Sequence, residues 1–124
     1  MDDPVSALLE DICQGLGPRE GLYAADAVFD ATVPGWRFQQ HGQDAVRRQL
    51  GSWFDAPARF EELTRAPLPE GEVVTFTLTS TDDDGPYWTH QVHLLAVSDG
   101  RIVRQQAWCG GRWSAVRVAE MAAG

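Results

Sequence analysis

Along residues 72–81 the chain alternates: Val74, Phe76 and Leu78 are apolar, and Thr75, Thr77 and Thr79 are polar. A period of two marks a strand with one buried face, so the apolar residues point inward and the threonines outward. The same reading finds strands elsewhere. Residues 27–33 have apolar odd positions, Ala27, Phe29, Ala31 and Val33. Pro34-Gly35 turns the chain, and residues 36–40 form a short return strand. Residues 59–65 form a strand closed by Pro67, Pro69 and Gly71. Residues 87–97 form a long strand that ends at the hairpin signal Asp99-Gly100, and residues 101–109 run back before Gly110-Gly111. Helical spacing governs other segments. Asp3 is a natural N-cap with Pro4 in the first turn, and Val5, Leu8, Leu9 and Ile12 recur at helical intervals until Gly15 and Gly17. Pro18 predicts a short second helix carrying Leu22 and Tyr23. Asp44 opens a helix with Val46, Leu50, Trp53 and Phe54 on one face, ended by Pro57, and the tail from 113 to 124 has a weak helical pattern. Helices, a hairpin, a helix and then a meander make an α+β order, with helices covering one face of an antiparallel sheet.

The length of 124 residues suits a single domain, residues 1–124, able to bury a core without staples. Five Trp and five Phe point to a bulky core or an aromatic-lined cavity. The net charge of −8 repels phosphate backbones and argues against nucleic acid as a partner. Cys13 and Cys109 lack metal-site spacing, which favours a reduced, cytoplasmic protein. The start, Met1-Asp2-Asp3-Pro4, lacks the basic, apolar character of a signal peptide, and no stretch approaches a membrane span. With no phosphate loop, dinucleotide fingerprint or metal cluster, no cofactor and no metal are expected. Asp82-Asp83-Asp84-Gly85 reads as a solvated turn, since it lacks the spaced ligands of a calcium loop.

The stretches Tyr23-Ala24-Ala25-Asp26-Ala27-Val28-Phe29-Asp30-Ala31, Gly42-Gln43-Asp44-Ala45-Val46-Arg47 and Asp99-Gly100-Arg101-Ile102, in this order, resemble the nuclear-transport-factor-2-like superfamily. That group includes ketosteroid isomerases, limonene epoxide hydrolases and SnoaL-type polyketide cyclases. The resemblance spans about residues 8–113. It implies a cone-shaped curved antiparallel sheet, covered by N-terminal helices around an apolar pocket, often in a homodimer. Aligned with an isomerase hairpin, Gln91, His93 and Leu95 face inward and His90 outward. His93 falls where those isomerases carry an acidic oxyanion donor. The same register puts Phe29, Ala31, Gln105, Ala107 and Cys109 inward. Ala31 stands where the isomerases carry a catalytic carboxylate, and Ala107 where the epoxide hydrolases carry an acid. Their Arg/Asp pair would fall near Leu78 and Ser80. None of these known sites transfers intact.

Each candidate has two readings. His93 is a base, acid or oxygen-polarising donor, or a buried ring satisfied by its neighbours. Asp30 is a general base if it turns inward, and otherwise an exposed strand carboxylate or the partner of an arginine. Gln91 and Gln105 bind polar groups of a ligand or satisfy each other. Cys109 is a nucleophile only with a stabilised thiolate, and otherwise a small packed hydrophobe. Phe29, Trp36, Trp53 and Phe76 are candidates to line the cavity. Trp108 faces the convex side, where it suits a dimer contact. Arg37 or Arg112 could hold an anionic group at the pocket mouth, but surface ion pairing is the favoured reading for both. The expected catalytic pair is His93 with Asp30, in an isomerase or cyclase acting on a hydrophobic, carbonyl-bearing or polycyclic molecule. The alternatives are a non-catalytic module for a small hydrophobic molecule, and an interaction domain whose pocket is filled by its own side chains.

Overall fold

The computed structural model describes residues 3–124; the acidic start at Met1 and Asp2 lies outside the described residues. The first helix, α1 (Pro4–Gln14), begins where the sequence places it. The Asp3 carboxylate accepts the Ser6 amide at 2.8 Å, and Pro4 occupies the first turn. Gly15 ends the helix at φ 71°, and a Cβ there would run into the backbone of Ala56. Glycine is therefore required twice over, by conformation and by space.

No second helix follows. Leu22 and Tyr23 instead lead into β1 (Tyr23–Val33). The glycines at 17 and 21 take positive φ, which breaks a helix, and the Leu22 carbonyl accepts the Ile102 amide at 3.0 Å. The Asp11 carboxylate fixes this connection by accepting both the Arg19 amide, at 2.9 Å, and the Arg19 guanidinium. Then come β2 (Trp36–His41), α2 (Gln43–Trp53), β3 (Arg59–Leu68), β4 (Gly71–Asp82), β5 (Gly85–Ser98), β6 (Arg101–Trp113) and α3 (Ala115–Ala122).

The six strands form one curved, unclosed sheet in the order β2-β1-β6-β5-β4-β3. Every neighbouring pair is antiparallel except β1 and β6, which run parallel. This crossover sets the first strand beside the last, a pairing the meander pattern does not show. Pro67 is tolerated because β3 is an edge strand. The last strand continues through Gly110 and Gly111 to Trp113, farther than its glycines suggest, and this extension carries Arg112 to the open end of the sheet.

The expected strand parity holds. Val74, Phe76 and Leu78 are buried with Leu95, Phe29, Ala31 and Ala107, and α1 and α2 add Leu8, Ile12, Val46 and Leu50 to the same cluster. The opposite face carries the threonines of β4, together with His90 and the exposed Trp108. No described helix is long and apolar enough to cross a membrane.

Candidate functional site

Along β5, residues 87, 89, 91, 93 and 95 alternate inward and all are buried. Three of them are polar, so their groups must find partners inside. They do so in one continuous chain. The fully buried Tyr23 hydroxyl donates to Gln105 Oε1 at 2.6 Å, and Gln105 Nε2 lies 2.9 Å from His93 Nδ1. His93 Nε2 lies 2.8 Å from Gln91 Oε1. Gln91 Nε2 then donates to Thr89 Oγ1 at 3.2 Å and to Cys109 Sγ at 3.4 Å. The Gly111 amide also donates to Cys109 Sγ, at 3.4 Å. No described buried side-chain N or O atom lacks a partner.

His93 is thus held on every side. Its ring stacks on Phe76, with centroids 5.3 Å apart, and both nitrogens are occupied. Burial, with no carboxylate beside it, pushes its pKa down from 6.5 to about 4. The ring is neutral at pH 7 and closed off from solvent. Burial likewise raises the Tyr23 phenol well above 10, with Asp11 adding to the effect.

Asp30 does not join this chain. It lies on the opposite face of the sheet, where β2 and β6 bring basic and amide groups across to it. Arg37 donates through Nε at 3.0 Å and Nη2 at 2.9 Å, Gln39 adds a bond at 3.0 Å, and Arg104 approaches to 3.8 Å. The hydrogen bond from Arg37, followed by that from Gln39, lowers its pKa to about 2. The expected His93–Asp30 pair is therefore corrected: the sheet itself separates the two. Asp30 is the arginine-paired carboxylate of the alternative reading, covered by its partners.

At the open end of the sheet a cleft of about 140 Å³ is lined by Val33, Trp53, Tyr87, Thr89, Gln91, Cys109 and Arg112, with Pro34, Phe54 and Gly111. Of the candidate binding residues, Trp53, Gln91 and Cys109 reach it. Phe29, Phe76 and Gln105 are packed in the core instead, because aromatic rings fill the cone: Phe29, Phe38, Trp53, Phe54, Phe76 and Phe60 meet edge to face in succession. Trp36 is corrected as a cavity residue; it begins β2 beside the turn and is 67% exposed.

Arg112 lines the mouth, and like Arg37 it is held in the ion pair favoured for both arginines. Its guanidinium lies 4.3 Å over the Tyr87 ring, donates to the Trp53 carbonyl at 2.9 Å and pairs with Asp82 at 3.1 Å. Arg37 is engaged with Asp30. Thr89 and Tyr87 went unnamed in the sequence reading, yet the parity that turns Gln91 inward turns them inward too. The cleft lining holds no carboxylate and no histidine. Among the described residues no group of three His, Cys, Asp or Glu is placed to hold a metal ion.

The chain's known likenesses agree with this architecture. A family model described as a SnoaL-like domain matches residues 19–105. Among solved structures, an NTF2-like protein from Anabaena variabilis is similar at a TM-score of 0.65 and 14% identity, covering 87% of this chain and 87% of that one. A candidate polyketide cyclase from Xanthomonas campestris pv. campestris has a TM-score of 0.62 and 20% identity, covering 85% of this chain and 86% of that one. SalBIII, an epoxide hydrolase/cyclase-like enzyme in pyran ring formation, has a TM-score of 0.64 and 13% identity, covering 89% of this chain and 93% of that one. No curated protein matches the sequence.

Proposed function

Because the chain belongs to the SnoaL-like domain family, a group sharing its fold with cyclases and isomerases, we propose that it binds a compact, neutral, hydrophobic molecule in the cleft at the open end of its sheet. The lining carries this reading. Trp53, Phe54, Val33 and Pro34 supply apolar walls, while Thr89, Gln91 and Cys109 supply orienting groups, with no carboxylate or histidine among the lining residues. Pockets for drug-sized ligands span roughly 300–1,000 Å³. A cleft of about 140 Å³ is nearer the roughly 150 Å³ cavity known to take benzene, so one six-membered ring fits. The proposal includes a homodimer built on the outer sheet face around Trp108, 44% exposed, and residence in a reducing cytoplasm, which the two free thiols suit.

A second reading is an isomerase or cyclase of the acid/base type on a carbonyl-bearing or polycyclic substrate. The family supports it, since proteins of this fold carry cyclase names. Here neutral His93 would donate through Nε2 to a substrate oxygen once Gln91 gave way. Against it stand the engaged ring nitrogens and the Asp30 carboxylate on the far face.

Titration of ring-sized hydrophobic molecules, followed by nuclear magnetic resonance and then by product analysis, separates the two. Binding at the cleft without turnover is expected. Turnover that is abolished in a folded His93→Ala variant would replace the first reading with the second. No binding by any ring would sink both.

A further inference from the structure

The buried hydrogen-bond chain has a direction, and Tyr23 sets it. Tyr23 is fully buried, and Gln105 is the hydrogen-bond partner its hydroxyl has among the described residues. A buried hydroxyl must place its proton on an acceptor or leave it unsatisfied. The phenol stays protonated at neutral pH, so it donates to Gln105 Oε1. This fixes the Gln105 amide with its nitrogen toward His93, where it donates to Nδ1. His93 then carries its proton on Nε2 and donates to Gln91 Oε1, which turns the Gln91 amide nitrogen toward Thr89 and Cys109. Reversing the chain would require every amide to turn over and would leave the phenol proton facing a donor.

The direction determines what the cleft offers. Thr89 Oγ1 and Cys109 Sγ both spend lone pairs accepting from Gln91, and the sulfur accepts from the Gly111 amide as well. Their hydrogens are left to give. One can bridge the 3.7 Å between oxygen and sulfur, which leaves the other free to be offered to the cleft that both residues line. Arg112 contributes only N–H groups, and the Tyr87 hydroxyl can play either part.

We infer that Tyr23 is a positioning residue that polarises the cleft as a hydrogen-bond donor, so that the site selects ring-sized molecules bearing an acceptor oxygen or nitrogen over those bearing a donor. This selectivity rests on the binding reading above. The direction of the chain does not.

Three rings of similar size test it: pyridine, which only accepts; pyrrole, which only donates; and benzene, which does neither. Each is titrated at pH 7.5 into wild type and Tyr23→Phe, with the His93 ring nitrogens observed by 15N resonance. Wild type is expected to show the Nε2–H tautomer and to bind pyridine at least about fivefold more tightly than pyrrole, the worth of one hydrogen bond. Tyr23→Phe keeps the ring but frees the chain to reverse; the tautomers should mix and the preference fall below about twofold. An Nδ1–H tautomer in wild type would overturn the inference without any variant. So would a pyridine preference that Tyr23→Phe leaves unchanged. Failure of all three rings, benzene included, would overturn the binding reading and the selectivity with it, and the tautomer would still report the chain's direction.

Discussion

Burying His93 as a neutral ring should make this protein progressively less stable below about pH 6.5. The folded ring has a pKa of about 4, against 6.5 for an ordinary histidine. The sign follows from proton counting. Between these values the unfolded chain takes up a proton that the folded chain refuses, so stability rises with pH. The full contribution is present above pH 6.5 and is lost as pH falls. The slope is about 1.4 kcal/mol per pH unit, and the total loss by pH 4 is about 3 kcal/mol. A loss of that size is a large share of a small domain's stability. The carboxylates act in a different window. Asp3, Asp30 and Glu61 all have lowered pKa values, so their contributions disappear only below the ordinary carboxylate range. Urea unfolding at pH 8, 7, 6 and 5, with ellipticity as the signal, would measure the contribution of His93. His93→Gln should be less stable at pH 8, because Gln91 and Gln105 lose a partner, yet nearly flat from pH 8 to 5. Flat wild-type stability across this range would refute the reasoning, as would an undiminished slope in His93→Gln.

Asp30→Asn should cost about 1–2 kcal/mol at pH 7, since the charged bonds from Arg37 are lost at a partly solvated site, while ring binding at the cleft stays unchanged. Urea titration and ligand titration of one sample check both halves, and weakened binding would place Asp30 in the site after all. Gly15→Ala should destabilise by more than 1 kcal/mol, roughly, because the new Cβ meets the Ala56 backbone at a positive φ. A thermal melt indistinguishable from wild type would contradict that packing. Trp108→Lys should convert a dimer to a monomer in sedimentation velocity, whereas a wild-type monomer at high concentration would remove the dimer from the account.

The fold was legible where side chains alternate without interruption. Val74, Phe76 and Leu78 fix the parity of β4, and pairing carries it to Gln91, His93 and Leu95. Pro18 misled because a proline favours a first helical turn, but the glycines at 17 and 21 and the parallel pairing of β1 outweigh that local preference. The surroundings of Asp30 could not be read from its own strand. They depend on Arg37 and Gln39 arriving from β2 and Arg104 from β6, which is a matter of register between distant segments. Nor does parity distinguish a hollow cone from a filled one. Phe29 and Phe76 do point inward, but their volumes, with Trp53 and Phe54, occupy the space and leave only the mouth open. Arg112 reaches that mouth because β6 runs on through two glycines, a continuation that glycine-rich sequence argues against.

Backbone and side-chain chemical-shift mapping during a benzene titration tests most directly whether recognition sits at the mouth and not in the interior. Shifts should concentrate at Thr89, Gln91, Cys109, Gly111 and the Trp53 indole, with the rings of His93, Phe76 and Phe29 unmoved. Large shifts at His93 and Phe76, with the cleft residues silent, would show that the core opens to admit ligand and would contradict the account.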